Sequence, residues 1–117
     1  MERKLSTIFA SDVVGFSKMM GKNEEKTLQI LGERRDVIDN VITNHNGSVF
    51  GGAGDSVIAE FLSPVKATEC AVMIQAKMND LNENVPESQQ MIFRIGINIG
   101  DVMVSKGNLF GDAVNVA

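Results

Sequence analysis

The sequence predicts an α+β fold, a ferredoxin-like βαββαβ sandwich in which an antiparallel sheet carries its helices on one face. Three observations lead there. An apolar run, Leu5 to Val14, is closed by Gly15. Two short strand-like runs flank the glycine-rich turn Gly51-Gly52-Ala53-Gly54-Asp55, a hairpin signal. Met91 to Gly100 alternates strictly, with Phe93, Ile95, Ile97 and Ile99 on one side and Arg94, Gly96 and Asn98 on the other.

The elements follow in order. Leu5 to Val14 reads as a buried strand. Asn23 to about His45 reads as a helix, with Asn23 as N-cap and Glu24 and Glu25 suited to the first turn. Its apolar positions are Leu28, Leu31, Val37, Ile38, Val41 and Ile42, and Asn46-Gly47 stops it. Ser48 to Gly51 and Ser56 to Leu62 form the hairpin. Ser63-Pro64 opens a second helix, which runs to about Asn84 with Ala67, Cys70, Ala71, Ile74, Met78 and Leu81 on one face. Met73 and Met78 read as core filler, and Val85 to Ser88 as a loop. After the strand Met91 to Gly100, Asp101 to Val104 reads as a further strand and Gly107 to Gly111 as a turn. Asp112 to Ala117 reads as the start of a helix. The sheet face without helices is expected to be free for a ligand or partner.

Composition narrows the classes. A chain of 117 residues forms one domain. Eleven Lys+Arg against 15 Asp+Glu give a net charge of −4. A pI near 4.9 argues against a general nucleic-acid binder, which needs a basic face. The absence of Trp and Tyr argues against a stacking platform for single strands. No apolar run approaches the ~18 residues of a membrane helix, so no membrane contact is expected from this segment. The single cysteine, Cys70, excludes an internal disulfide and reads as a small buried hydrophobe. A cytoplasmic, reducing compartment is the expectation. His45, beside Asn46-Gly47, reads as a helix-end residue.

Two aspartates stand out. Asp12 closes an apolar strand, where a carboxylate is unfavourable unless paired or metal-bound. It also fits as a cap for the following turn. Val13 to Ser17 is a strand-to-helix turn whose N–H groups suit phosphate oxygens. Asp55 reads as a turn aspartate when taken alone. In the predicted fold, however, Asp12 and Asp55 face each other across adjacent strands. Converging carboxylates repel, and a divalent ion such as Mg²⁺ relieves the repulsion while also taking phosphate oxygens.

The stretch Phe9-Ala10-Ser11-Asp12-Val13-Val14-Gly15-Phe16-Ser17 resembles the first metal motif of class III adenylate/guanylate cyclases, and Gly54-Asp55 resembles their second. Phe93 to Val102 is similar to the family's next strand pair, and Phe110-Gly111-Asp112-Ala113-Val114-Asn115-Val116-Ala117 to the start of its following helix. The fold is therefore expected to be of nucleotide cyclase type. The resemblance implies that Asp12, Asp55 and the Val13 carbonyl hold two Mg²⁺ or Mn²⁺ ions. It implies that the backbone of Val13, Val14, Gly15, Phe16 and Ser17 wraps the phosphates, and that Arg94 contacts the triphosphate rather than serving in a surface ion pair. Asn115 resembles the asparagine that orients the ribose. The implied reaction is attack of the ribose 3′-oxygen on the α-phosphorus, giving a 3′,5′-cyclic nucleotide and pyrophosphate for intracellular signalling. The family's homodimer places the site at an interface that includes the helix-free sheet face.

Departures from the pattern bear on the base and on turnover. Gly51 stands where the family carries its purine-selecting lysine, and Asn108 where it carries the matching aspartate. ATP is favoured over GTP from the broad family pattern alone. The family's transition-state arginine follows shortly after the Val-Asn-Val-Ala run, which ends here at Ala117. The domain is thus read as lacking its C-terminal part, and turnover by these 117 residues alone is expected to be weak or absent. Two alternatives compete: a catalytically inactive cyclase-like module that binds nucleotide or a partner, and a diguanylate cyclase. Against the latter, Ser56-Val57 stands where that signature requires Glu-Phe.

Overall fold

The computed structural model describes residues 2–105 and 108–111. Five strands form one antiparallel sheet in the order β2-β3-β1-β4-β5, with β1 Glu2–Val13, β2 Ser48–Gly51, β3 Val57–Phe61, β4 Phe93–Ser105 and β5 Asn108–Phe110. Three helices accompany it: α1 Phe16–Lys22, α2 Glu24–Asn44 and α3 Pro64–Glu83. Dropping α1 and β5 leaves βαββαβ with its first strand at the centre, the predicted ferredoxin-like arrangement.

The core lies between the helices and one sheet face. Phe9 and Val13 of β1, Val57, Ala59 and Phe61 of β3, and Phe93 of β4 meet Ile38, Val41 and Ile42 of α2 and Ala67, Cys70, Ile74 and Met78 of α3. The Phe9 and Phe61 rings meet at a tilt, 6.0 Å between centroids. Asn23 caps α2, its side chain accepting the Lys26 N–H at 3.0 Å, and Ser63 caps α3 in the same way at 3.2 Å. His45 ends α2, with Nδ1 2.8 Å from the Val41 carbonyl.

Several expectations are corrected. A separate helix, α1, precedes Asn23, which caps one helix while ending another. The buried stripe of α2 runs through Thr27, Ile30, Arg34, Ile38, Val41 and Ile42, so Leu28 faces solvent. Arg34 holds a core position because polar groups receive it. Its guanidinium donates to Asn82 Oδ1 at 2.7 Å and to the Met91 carbonyl at 3.4 Å, and burial pushes its pKa down. On α3, Leu81 and Met73 are exposed rather than core.

Strand β4 does not break at Gly100-Asp101. It pairs with β1 without interruption from Val13↔Phe93 to Glu2↔Val104, because β1 starts earlier than its apolar run implies. The segment read as a turn, Gly107 to Gly111, contains β5, which pairs with the end of β4. Ile97 and Ile99 share the helix-side face of β4 with Phe93, yet are 36% and 51% exposed, although their register partners Phe9 and Thr7 on β1 are buried.

The opposite sheet face is not bare. Ile8 and Val102 are fully buried there, and Glu60 accepts from the Ser6 hydroxyl and pairs with Lys4, both at 2.6 Å. Edge strands of a flat five-stranded sheet stand about 19 Å apart at the usual spacing. Here β2 and β5 approach within 8 Å between Cα atoms. The sheet therefore curls toward its helix-free side, partly closing the face expected to be open.

Candidate active site

The site forms where three strand ends meet. The last register pairs of β1 and β4 set Asp12 opposite Arg94 and Val13 opposite Phe93. Strand β3 pairs with β1 as far as Ser11↔Val57, so the turn before β3 delivers Asp55 beside Val13. Gly52 makes that turn possible. Its φ of 118° is unfavourable for other residues, and a Cβ would meet the Ser56 carbonyl oxygen at 2.3 Å.

The Asp12 carboxylate accepts two hydrogen bonds from Arg94, Nε to Oδ1 at 2.8 Å and Nη2 to Oδ2 at 3.0 Å. The pair is open to solvent, with the Arg94 side chain 68% and the Asp12 side chain 40% exposed. Hydrogen bonding to Asp12, then the Asp12 charge, with Asp55 adding to it, raises the Arg94 pKa. Asp55 Oδ2 accepts the Val13 backbone N–H at 2.9 Å. Asp12, Asp55 and Arg94 thus form one electrostatic cluster, and the chain satisfies the demand for a counter-charge at Asp12 with Arg94.

Beyond Val13 the chain turns into α1. Gly15 occupies the left-handed region at φ 69° and stands at the helix N-cap. The Val13 and Val14 N–H groups are already engaged, by Asp55 and by the Ile92 carbonyl at 2.8 Å respectively. The N–H groups at the helix head are those of Gly15, Phe16 and Ser17. Phe16 is half-buried and packs against the core, whereas Ser17 is exposed.

The remaining candidates lie on the sheet edges. Gly51 ends β2, just past a register shift, and a Cβ there would meet nothing within 4 Å. Packing therefore does not impose glycine at that position. Asn108 begins β5. The curl of the sheet brings these two edge strands toward each other. Asn115 lies outside the described residues. The sequence reading missed the bond between Val13 and Asp55, since no local pattern marks a turn aspartate as the acceptor for a strand end over 40 residues earlier. It also missed the commitment of the Val14 N–H, which depends on where β4 begins.

Among the described residues no three His, Cys, Asp or Glu side chains converge on a metal-sized space. Contrary to the expectation, the two aspartates do not face each other across paired strands: Asp12 lies opposite Arg94, and Asp55 lies in the turn before β3 with its carboxylate on the Val13 N–H, so the end of the sheet offers two carboxylates beside a strand-end backbone. That hard-oxygen donor set fits Mg²⁺ or Mn²⁺, which leave most positions to water and phosphate oxygens.

The strand order, with two aspartates and a facing arginine at one sheet end, is the arrangement that the resemblance to nucleotide cyclase domains implies. The chain belongs to the adenylate and guanylate cyclase catalytic domain family, whose model matches residues 2–117. It is 42% identical over its full length to a putative adenylate cyclase 3 of Rhizobium meliloti, and 30% identical to an adenylate cyclase of Streptomyces coelicolor. It spans 20% and 29% of the lengths of these two relatives. Among solved structures, the adenylate/guanylate cyclase/hydrolase of Silicibacter pomeroyi superposes with a TM-score of 0.90 at 40% identity, covering 99% of this chain and 68% of that one. No helix among the described residues is long and apolar enough to cross a membrane.

Proposed function

We propose that this domain converts a nucleoside triphosphate to a 3′,5′-cyclic nucleotide and pyrophosphate, with ATP as the favoured substrate. The observation that carries the reading is the convergence of Asp12, Asp55 and Arg94 at one sheet end, beside the turn into α1. Asp12, Asp55 and the Val13 carbonyl are the groups that would hold two Mg²⁺ or Mn²⁺ ions. When bound, such ions supply charge neutralisation at the phosphates and at the attacking oxygen.

The chain's own residues do the positioning. Arg94 neutralises Asp12 in the free protein and is placed to turn its exposed guanidinium to a triphosphate, where bidentate hydrogen bonds suit phosphate oxygens. Gly15, Phe16 and Ser17 present N–H groups to the same anion. Asn115 is assigned to the ribose. Gly51 and Asn108 border the base, and the adenylate cyclase relatives support ATP. A homodimer through the curled sheet face completes the site, as part of an intracellular signalling protein.

Calorimetric titration of non-cyclising ATP and GTP analogues with Mn²⁺ tests this, with an Asp12→Asn, Asp55→Asn double variant as control. Metal-dependent binding that disappears in the variant is expected, tighter for the ATP analogue. No binding to the folded, dimeric protein would sink the metal-site assignment and leave an interaction module.

A further inference from the structure

Strand β4 pairs with β1 from Phe93 to Val104, while β5 joins its outer edge only from Met103 to Ser105. Among the described residues, no strand lies against that outer edge between Phe93 and Val102. In an antiparallel pair the backbone groups of alternate residues point away from the partner. The Val14 N–H bonds the Ile92 carbonyl, so the backbone groups of Ile92 and Arg94 face β1, and those of Met91 and Phe93 face outward. Side chains of α3 meet these outward groups. Gln75 Nε2 donates to the Phe93 carbonyl at 2.8 Å. Asn82 Oδ1 accepts the Met91 N–H at 3.0 Å, and Asn82 Nδ2 donates to the Met91 carbonyl at 2.9 Å. The Asn82 amide is itself oriented, because Arg34 Nη2 donates to Oδ1 at 2.7 Å and so fixes which end is oxygen. Gln75 and Asn82 stand about two helical turns apart and share one face of α3. Helix α3 thus does for the head of β4 what a further strand would do.

We infer that Gln75 and Asn82 are positioning residues for Arg94, which on the function proposed above contacts the triphosphate. Their bearing on nucleotide rests on that reading; their bearing on Arg94 does not. Place in the strand is the first reason. Arg94 directly follows Phe93, whose carbonyl Gln75 holds, and the next outward-facing residue before it is Met91, held by Asn82. A strand head fastened on both edges cannot rock about its single ladder with β1, so the register Asp12↔Arg94 is kept. Exposure is the second reason. The Arg94 side chain is 68% exposed, so packing does not hold the guanidinium, and the backbone beneath sets where it lies. The third reason is that adhesion is already provided for. Ala67, Cys70, Ile74 and Met78 bury α3 against the sheet. Gln75 is an exposed residue that the core does not require, yet its amide reaches one backbone carbonyl beside Arg94. Bonds of this kind add direction to a contact that apolar burial leaves free to slide.

The test reads Arg94 in the nucleotide-free domain. Its Nε–H, bonded to Asp12 Oδ1, gives a resonance in a ¹⁵N-labelled sample that Arg94→Lys identifies by removing it. Exchange of that proton with water is measured beside the Arg35 Nε–H, which bonds Asp39 Oδ1 within α2 and serves as internal control. Gln75→Met fills the same space without a donor. It is expected to speed exchange at Arg94 about two- to tenfold, the equivalent of one ordinary hydrogen bond, and to leave Arg35 unchanged. Gln75→Lys keeps a donor and is expected to restore the wild-type rate. Asn82→Asp keeps the acceptor for Arg34 and the Met91 N–H but sets an oxygen against the Met91 carbonyl, and is expected to speed exchange at Arg94 over the same range, about two- to tenfold. An unchanged Arg94 rate in Gln75→Met or Asn82→Asp, a rate raised equally at Arg35, or no rescue by Gln75→Lys overturns the proposal. Titration with a non-cyclising ATP analogue and Mn²⁺ carries the effect to nucleotide. Gln75→Met is expected to weaken binding in the wild-type background and to change nothing in an Arg94→Ala background, whereas additive losses overturn the proposal. A wild-type domain that binds no analogue counts against the function proposed above, while the exchange rates still decide the placement of Arg94.

Discussion

Asp55 has two separable tasks, and substitution distinguishes them. Its Oδ2 accepts the Val13 N–H at 2.9 Å, and Val13 is only 3% exposed. Asp55→Ala strands that N–H at the end of the central strand. Removing a charged acceptor from a buried donor costs about 1.5–3 kcal/mol. With a urea m-value of about 1–3 kcal/mol/M for a small domain, the unfolding midpoint falls by about 1 M. Asp55→Asn keeps an acceptor oxygen in place and loses only the charge assistance, about 1 kcal/mol. Its urea midpoint therefore falls about one third to two thirds as far. In nucleotide titration the order changes: Asn and Ala abolish Mn²⁺-dependent binding equally, because a neutral amide is a poor partner for a hard divalent ion. Urea unfolding followed by circular dichroism, beside calorimetry on the same samples, reads both tasks. If Asn destabilises as much as Ala, the neutral acceptor is not what holds the strand end. If Asn still binds nucleotide with metal, Asp55 is only a structural fastener.

Three further outcomes follow from the core. The Ser11 hydroxyl is buried with no hydrogen-bond partner, so Ser11→Ala is expected to leave stability unchanged or raise it by up to about 1 kcal/mol in urea unfolding. Arg34→Ala opens a cavity and strips Asn82 of a donor, for a loss of about 2–4 kcal/mol; Arg34→Met refills the space without burying a charge and costs less than half of that. Burial raises the Cys70 thiol from 9.0 to about 11. The folded state therefore holds this proton more tightly than the unfolded state, so stability is unaffected by it below about pH 9 and falls as pH rises toward 11. A thiol reagent at pH 8 is expected to label Cys70 only as fast as the chain unfolds, which stopped-flow labelling against urea measures.

What the sequence made legible was whatever a local period or a turn residue encodes. Alternation in Phe93 to Ile99 revealed a strand, Ser63-Pro64 a helix start, and the glycines before Asp55 a hairpin. Asp12 declared itself because a carboxylate in an apolar strand demands a partner. What stayed hidden depends on lengths and neighbours. The full run of β4 is set by how far β1 extends to pair with it, and Arg34 is buried because Asn82 and Met91 on other segments accept its protons. Exposure of Ile97 and Ile99 is equally unreadable from their alternation, since a strand's period assigns side chains to a face without saying whether anything covers that face.

In the structure Asp12 and Arg94 form the exposed ion pair that the sequence expectation for Arg94 set aside, so the proposed nucleotide site requires that pair to be exchanged. Two aspartates left alone at a sheet end repel each other and destabilise the fold that assembles them. Arg94, directly across from Asp12 in the strand register, supplies a counter-charge there in the free protein. The pair is exposed, so salt and water screen it and its bonds are inexpensive to exchange. On the function proposed above, bound metal ions would neutralise Asp12 and phosphate oxygens would take the place of the Asp12 carboxylate on Arg94. An isolated surface ion pair of the same geometry lacks a second carboxylate such as Asp55 nearby, which is why Asp55→Asn tests the proposed exchange while Asp12 and Arg94 stay in place.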